Sequence, residues 1–344
     1  MKKTRLSIDR LNEILNKFPQ RRLCVIGDFF LDYYLVTDKQ KSERSLETGL
    51  EAFQVTSTRK SPGAAGTVAS ILRHLDVEVV AIGFTGDDGN GFDLRQQMNQ
   101  LEIDTTHMYI SDNRSTPTYM KPMLKDGANE IEMSRFDIKN HFELDSHLES
   151  LIIKSIHEVI DNVDGVVVLD QVTEQNCGVI TDKVRSEISS LGRSYPNKFV
   201  FADSRSRIGL FRDVILKCNI FEAHQALGIS KNKVELINYA KIAQHLYKKN
   251  RKPVLLTLGE KGIQIANERE NFLMPALPTI GEIDIVGAGD SVMAAISAAL
   301  CSGAGFKEAG YISMIVASII IHQIGTTGIV TRKEISELYK NIII

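Results

Sequence analysis

Several features that mark other protein classes are scarce in this chain of 344 residues. It has four cysteines, widely separated and without a CxxC pair, so the sequence suggests neither a disulfide framework nor a structural zinc site. The 41 basic and 43 acidic side chains nearly cancel, so no overall field attracts nucleic acid or an anionic membrane. We therefore expect no nucleic-acid or membrane partner, and any bound anion must be held by local groups.

Long apolar segments are also missing. Residues 1–20 carry charges throughout and are typical of a short amphipathic helix, not of a secretory signal. The most apolar stretch, 311–321, is well short of the roughly twenty residues needed to cross a bilayer, and it predicts a buried helix. Together with the scattered cysteines, these features favour a cytoplasmic protein.

The motifs of several enzyme classes are absent too. No GxSxG pattern supports a nucleophilic hydrolase, and no GxxxxGK[ST] pattern supports a P-loop kinase. No GxGxxG follows the first predicted strand, so a nicotinamide dehydrogenase is poorly supported. The eight histidines show no metal-ligand spacing.

Short apolar runs alternate with segments of helical spacing along most of the chain. Runs that are apolar on both faces are typical of strands covered by helices on either side, so the alternation predicts an α/β fold with a mainly parallel sheet. The predicted strands are 22–28, 78–84, 164–170, 198–203, 213–219 and 252–259, and the predicted helices are 64–75, 91–101, 145–162, 174–192 and 233–250.

Two regions depart from this alternation. One is 33–60, and the other is the pair 116–124 and 129–137, joined by the turn-rich KDGAN. We expect a small antiparallel sheet here, which in an α/β enzyme can close over a substrate bound at the carboxyl ends of the strands. A surface hairpin without such a role is the alternative.

Gly287-Ala288-Gly289-Asp290 immediately precedes an alanine-rich helical run. Small residues let the backbone approach a ligand, and the first turn of a helix presents unpaired N–H groups and the positive end of the helix dipole. This combination suits a phosphate that gains charge during transfer. Asp290 is then a candidate general base for an attacking hydroxyl, with simple helix capping as the alternative.

Four motifs, in order over most of the chain, resemble those of the ribokinase-like (PfkB) carbohydrate kinases. DIVGAGDS at 284–291 is similar to the C-terminal signature of that family, and SPGAAGTVASILRHLDVEVVAIGFTGDDGNG at 61–91 is similar to the N-terminal one. Asn219-Ile220-Phe221-Glu222 resembles the N-x-x-E motif, and TLGEKG at 257–262 resembles the nucleotide-loop segment.

The resemblance implies one doubly wound α/β domain over residues 1–344, with helices on both faces of the sheet and a lid inserted at about 34–60 and 114–137. It implies transfer of the γ-phosphoryl group of ATP to a hydroxyl of a sugar or sugar phosphate. Asp290 would be the base, and the N–H groups of Gly287, Ala288 and Gly289 would form the anion hole. Asn219, Glu222, Thr257, Gly259 and Gly262 would bind the nucleotide, with Asn219 and Glu222 near Mg²⁺ through water. For Asn219 and Glu222, a capping arrangement at the start of a helix is the alternative.

At the sugar end, the resemblance implies that Asp32 accepts hydrogen bonds from substrate hydroxyls and that Asp28 joins it. Gly63 matches the first glycine of a Gly-Gly pair, but Ala64 replaces the second, and Thr67 stands where many members have asparagine. The Ala64 methyl group requires either a differently shaped pocket or an ordinary backbone conformation at this turn.

Asp284 lies where some relatives hold K⁺, although Val286 replaces a common threonine in the same loop.

Within the family, 42–55 and 132–137 are similar to the lid strands of the heptose-phosphate kinases. Arg135 would then meet an anionic group of a sugar phosphate, because a guanidinium binds phosphate through two hydrogen bonds. An exposed arginine without this role is the alternative, and the same holds for Lys121. Since an exposed lid edge is usually covered, we expect a homodimer formed through the lid.

Two other functions stay open on the same fold. One is a nucleoside kinase, which would need an aromatic platform such as Phe53, Tyr119 or Phe136. The other is a catalytically silent relative that binds a nucleotide or sugar. Retention of Asp290, Asn219 and Glu222 argues against the silent protein.

Overall fold

A computed structural model of the chain describes residues 6–127, 129–229, 238–325 and 328–343. The first five residues of the predicted segment 1–20, and residues 233–237 of the predicted helix 233–250, lie outside these ranges.

Sixteen strands lie within the described residues, and six of them lie close to the six strands predicted for the main sheet. They are β1 Arg22–Gly27, β2 Phe29–Asp38, β3 Glu43–Arg44, β4 Glu51–Ala52, β5 Val55–Ala64, β6 Glu78–Gly86, β7 Asp104–Ser111, β8 Thr118–Asp126, β9 Asn129–Glu132, β10 Phe136–Ile138, β11 Gly165–Asp170, β12 Phe199–Ser204, β13 Ile215–Asn219, β14 Val254–Thr257, β15 Ile263–Ala266 and β16 Asn271–Met274.

Ten α-helices accompany them within the same ranges. They are α1 Ile8–Asn16, α2 Ala65–His74, α3 Gly89–Gln100, α4 Ser146–Val159, α5 Asp182–Ser194, α6 Ile220–Leu227, α7 Tyr239–Asn250, α8 Ala288–Cys301, α9 Phe306–Ile321 and α10 Arg332–Ile343.

The large sheet contains nine strands in the order β16-β15-β14-β13-β12-β11-β1-β6-β7. The seven strands from β14 to β7 run parallel, and β15 and β16 are antiparallel additions at one edge. Alternate residues of β1 enter different cores: Leu23 and Val25 pack with α2, α8 and α9, whereas Cys24 and Ile26 pack with α4 and α5. Both faces of the sheet are therefore covered by helices, and the prediction of a doubly wound, mainly parallel α/β fold is confirmed.

The predicted helix over 174–192 is partly wrong, because α5 begins only at Asp182. The Thr181 hydroxyl caps it by accepting a hydrogen bond from the N–H of Val184 at 3.2 Å. Residues 171–181 instead form a loop that follows β11. The predicted buried helix over 311–321 is confirmed as part of α9.

A second, smaller sheet has the order β10-β8-β2-β5, with β9 paired to β8. We call these five strands the small sheet. It is mixed and not purely antiparallel, since β2 and β8 run parallel. The chain path explains this. β2 directly follows β1 and β8 follows β7, and because β1 and β7 are parallel strands of the large sheet, β2 and β8 both start from their carboxyl ends. None of the helices in the described ranges is long and apolar enough to cross a membrane.

Candidate active site

Helix α8 begins in a glycine turn that leaves several N–H groups free. Gly287 precedes the helix with φ of 78°, a left-handed conformation that favours glycine. The N–H of Ala288 donates to the carbonyl oxygen of Ile285 at 3.2 Å, so it is not available as predicted. The N–H groups of Gly287, Gly289 and Asp290 have no acceptor among the described residues. Of the three predicted anion donors, Gly287 and Gly289 are therefore free, Ala288 is engaged, and Asp290 offers a further free N–H.

Asp290 lies in the first turn of α8 and is half-buried. Its carboxylate makes no hydrogen bond within the described part of the chain. Burial, together with the nearby carboxylates of Asp203 and Asp32, raises its pKa to about 6, while the charges of Lys217 and Arg205 act in the opposite direction. The group is therefore free, mainly ionised at neutral pH and able to accept a proton.

A buried ion pair beneath this turn was missed by sequence reasoning. Lys217 on β13 stands beside Asp203 on β12 in the parallel register, and its Nζ donates to Oδ2 of Asp203 at 2.5 Å. A side chain at Gly289 would place its Cβ 3.0 Å from the same Nζ, so the lysine lies directly under the glycine turn. Although burial disfavours its charge, Asp203 and Asp290 raise the pKa of Lys217 above its usual value. A charged residue inside the apolar run ILKCN was the available signal.

The N-x-x-E residues form a helix start. The side-chain oxygen of Asn219 accepts hydrogen bonds from the N–H groups of Phe221 and Glu222, and the N–H of Asn219 donates to Oε2 of Glu222 at 2.7 Å. Oε1 of Glu222 takes no part in this capping box. Burial and the neighbouring Asp203 raise the pKa of Glu222 to about 7, with Lys217 and Arg205 lowering it.

The segment 257–262 lies beside Asn219, since Thr257 pairs with Asn219 in the register of β14 and β13. It turns the chain from β14 into β15, with positive φ at Gly259 and Gly262. A Cβ at Gly262 would come 2.1 Å from the carbonyl oxygen of Met274, so the turn itself requires this glycine. The predicted nucleotide role of Gly262 is therefore not needed to explain the residue.

Asp32 projects from β2 at the base of the small sheet and is buried. The Nζ of Lys121 on β8 is 3.6 Å from its Oδ1. A Cβ at Gly63 would come 2.8 Å from Oδ2, so a glycine at this position leaves room for the carboxylate. Burial raises the pKa of Asp32, although Lys121 and Arg135 oppose the shift.

Ala64 resolves the two alternatives left by the missing glycine. Its backbone has φ of 53° and ψ of −116°, a conformation that is strained for any residue with a Cβ. Of the two alternatives, the ordinary backbone is wrong, because the chain keeps the glycine-type turn despite the methyl group. Thr67, one turn into α2, is buried, and its hydroxyl lies 3.5 Å from the carbonyl oxygen of Pro62.

Ala64→Gly is expected to increase the free energy of unfolding by about 0.5–1 kcal/mol, because relief of strain exceeds the loss of one half-buried methyl group. Urea unfolding measures the change. The matched control Ala69→Gly, in the middle of α2, is expected to reduce stability by about 1 kcal/mol or more. Equal destabilisation by both substitutions would contradict a strained turn.

Asp28 has a structural role that differs from the predicted one. Its carboxylate accepts hydrogen bonds from the N–H groups of Gln171, Val172 and Val179, at 2.8, 2.9 and 2.7 Å. These bonds hold the loop after β11 against the end of β1. Burial and the nearby Asp170 raise its pKa to about 6. We assign no substrate contact to Asp28.

Arg135 is exposed and already forms an ion pair. Its Nε and Nη2 donate to the two carboxylate oxygens of Asp137 at 2.6 and 2.9 Å, and its guanidinium lies 4.3 Å from the ring centroid of Tyr119. Its charge nevertheless acts on Asp32. The residue that the sequence placed near an anionic substrate group thus lies close to the proposed sugar site.

Asp284 accepts hydrogen bonds from two backbone N–H groups. One carboxylate oxygen accepts from the N–H of Val286 at 2.9 Å, and the other accepts from the N–H of Gly325 at 3.3 Å. Each carboxylate oxygen therefore already accepts one backbone N–H, and a potassium role for Asp284 stays a prediction. We derive no step through potassium.

The structure brings together residues from distant parts of the chain around Asp290. Asp32, Asp203, Lys217 and Arg205 each act electrostatically on it, and three of these four also act on Glu222. Asp28 and Asp284 bind backbone groups elsewhere.

Comparison with known proteins identifies similar sequences. The chain is 26% identical over 319 residues to the bifunctional protein HldE of Helicobacter hepaticus and 29% identical over 327 residues to that of Nitratiruptor sp.. These matches cover 91% and 93% of this chain but only 63% and 65% of the relatives. The chain therefore spans somewhat less than two thirds of the curated relatives it matches.

Among solved structures, Arabidopsis thaliana ribokinase complexed with ribose and ATP superposes with a TM-score of 0.67 at 18% identity, covering 93% of this chain and 99% of that one. The fold is thus ribokinase-like. The sequence profile of the pfkB family carbohydrate kinases matches residues 20–332. Since that match includes both glycine turns and nearly all of the large sheet, the chain belongs to the pfkB family of carbohydrate kinases.

Proposed function

We propose that the protein transfers the γ-phosphoryl group of ATP to a hydroxyl of a sugar or sugar phosphate. One observation carries the proposal: the unbonded carboxylate of Asp290 lies beside free N–H groups at the start of α8, directly above the buried Lys217. A proton acceptor and an anion-binding helix start are then adjacent, as attack of a hydroxyl on a phosphoryl group requires.

In the proposed reaction, Asp32 accepts a hydrogen bond from the acceptor and orients it. Asp290 takes the proton of the attacking hydroxyl, and the new P–O bond forms as the bond to the ADP oxygen breaks. The N–H groups of Gly287, Gly289 and Asp290 stabilise the charge on the transferred group. With a pKa of about 6, Asp290 is mostly ionised at neutral pH yet basic enough to take part.

A divalent cation fits the donor set indirectly. Three carboxylates, Asp203, Glu222 and Asp290, surround one lysine, and Glu222 keeps an oxygen outside its capping box. The described residues contain no cluster able to ligate a metal fully by themselves. Mg²⁺ held by ATP phosphates and by water on Glu222 and Asn219 would meet both observations. When bound, it would neutralise phosphate charge.

The small sheet is proposed to act as a lid of a single kinase domain over residues 1–344, with the lid at about 34–60 and 114–137. Asp32 and Lys121 lie on the face that also carries Tyr34 and Tyr119. Closure over the strand ends would exclude water, which would otherwise be phosphorylated in place of the acceptor.

A sugar phosphate is favoured over a nucleoside as the acceptor. Two cations, Lys121 and Arg135, act on the site around Asp32. Tyr119, which pairs with Asp32 in the register of β8 and β2, contacts Phe30 with a centroid distance of 4.8 Å and is covered by the Arg135 guanidinium. Its ring is therefore occupied and does not offer a stacking platform for a base.

A coupled ADP-release assay across sugars, sugar phosphates and nucleosides tests the function. We expect ADP release above the water background with a sugar or sugar phosphate. ADP release with nucleosides alone would mean that the acceptor is a nucleoside and not a sugar or sugar phosphate. ADP release with none of these compounds would identify a catalytically silent protein.

A second copy of the chain is proposed to cover the exposed apolar residues of the lid region. Leu46 and Leu50 lie fully or largely exposed in the turn between β3 and β4. The double variant Leu46→Glu/Leu50→Glu is expected to convert a dimer into a monomer, as measured by light scattering after size exclusion, because burying two carboxylates is costly. Leu210→Glu, at an exposed site outside this region, is the control. A monomeric unmodified protein would disprove the dimer.

A further inference from the structure

Arg205 occupies a fixed position at the end of β12. Two residues before it, Asp203 forms an ion pair with Lys217. Two residues after it, Arg207 donates to both carboxylate oxygens of the buried Asp170 at 2.5 and 3.1 Å. The N–H of Arg205 itself donates to the carbonyl oxygen of Asp170 at 3.1 Å. The backbone that carries this guanidinium is therefore anchored from both sides.

The side chain of Arg205, in contrast, is exposed and lacks an ion-pair partner among the described residues. Other cations near the site are paired: Lys217 with Asp203, Lys121 with Asp32, and Arg135 with Asp137. The positive charge of Arg205 acts on the hydroxyl of Tyr119 on the small sheet, and it also acts on the carboxylates of Asp290 and Glu222. An arginine without an ion-pair partner thus follows Asp203 at the carboxyl end of β12, and its charge acts on Asp290, Glu222 and the small sheet.

We propose that Arg205 binds the phosphoryl group during transfer and neutralises the charge that develops on it. This inference rests on the proposed kinase function. The site holds three carboxylates and gains phosphate oxygens on binding, while Lys217 is already engaged by Asp203. A guanidinium forms two parallel hydrogen bonds to phosphate oxygens, and Arg205 is the cation of this cluster free to do so. Moving from Tyr119 to the phosphoryl group would couple the contact to the position of the small sheet.

A purely structural role for Arg205 is disfavoured by its surroundings. An exposed side chain that forms no ion pair with the described residues contributes at most about 1 kcal/mol to stability. Substitution of Arg205 should therefore leave the fold intact. It should weaken only the binding of a ligand that mimics the phosphoryl group during transfer.

The test compares the affinity for Mg²⁺-ADP alone with that for Mg²⁺-ADP plus aluminium fluoride, which mimics a transferred phosphoryl group. For Arg205→Ala we expect unchanged ADP affinity and an aluminium fluoride complex weakened by about 10²-fold or more. Arg205→Lys should lose less, and added guanidinium should partly restore the Ala variant. Arg269→Ala, an exposed arginine in the turn between β15 and β16, is the matched control and should behave like the unmodified protein. Tyr119→Phe should keep the complex.

Two results would overturn the inference while leaving the kinase function intact: an unchanged aluminium fluoride complex in Arg205→Ala, or an equal loss of ADP affinity with and without fluoride. Failure of the unmodified protein to bind aluminium fluoride with ADP would instead count against the kinase function itself, and the role of Arg205 would fall with it. If Arg205→Ala does not fold, the same comparison in Arg205→Lys decides.

Discussion

Asp290→Asn is expected to reduce phosphoryl transfer by about 10³-fold while ATP still binds. The amide keeps the shape of the carboxylate but cannot accept the hydroxyl proton. Because the Asp290 carboxylate makes no hydrogen bond within the described residues, no structural bond is lost. Single-turnover transfer measures the rate, and calorimetry with a non-hydrolysable ATP analogue measures binding.

Glu282→Gln, an exposed acid in the same loop, is the matched control and should retain full activity. A folded Asp290→Asn protein with near-normal turnover would remove Asp290 from the mechanism. Loss of nucleotide binding together with turnover would indicate a structural role for the carboxylate.

The same assignment predicts the pH dependence of the rate. Burial raises the pKa of Asp290 to about 6, so the fraction of active base falls as the pH drops below that value. The rate should decline about tenfold per pH unit on the acidic side and level off above neutrality. The pKa of Glu222 is raised to about 7, so this residue titrates in a similar range. If Asp290 is the base, Glu222→Gln should still show the fall in rate on the acidic side of the pH profile. In Asp290→Asn this fall should be absent.

Lys217→Met is expected to lower the free energy of unfolding by about 3–5 kcal/mol, the largest stability effect that we predict. The substitution leaves Asp203 buried between β11 and β13 without its cation. A lone buried carboxylate costs far more than the ion pair contributes, because its desolvation is no longer offset. Urea unfolding measures the difference.

The double variant Lys217→Met/Asp203→Leu should recover part of that loss, since neither charge is then buried alone. Lys17→Met is the control: its exposed partner Glu13 lies 2.8 Å away, and the change should cost less than about 1 kcal/mol. A loss in Lys217→Met no larger than in this control would show that Asp203 does not need the lysine.

Much of the fold could be predicted from the sequence because six of the seven parallel strands are mainly apolar runs; β7 is polar at several positions and was not predicted. Runs such as 164–170 are buried on both faces, so their side chains need no partner outside the core. The glycine turn before α8 was equally readable, since only small residues permit that backbone and Asp290 follows directly. The loop before α5 could not be predicted in the same way. The spacing in 174–181 is helical, but N–H groups of this loop donate hydrogen bonds to Asp28, which lies 143 to 151 residues earlier in the chain.

By itself the sequence determined the class of fold and the glycine turn at the start of α8, because these depend on local composition and spacing, whereas the role of Asp290 as the base stays a prediction. Only the tertiary structure decided that Lys217 meets Asp203 beneath that turn, that Ala64 keeps a strained glycine conformation and that Ala288 is not an anion donor. Those facts depend on strand register and on which atoms meet across the fold, and residues far apart in the chain come within bonding distance only once the sheet has formed.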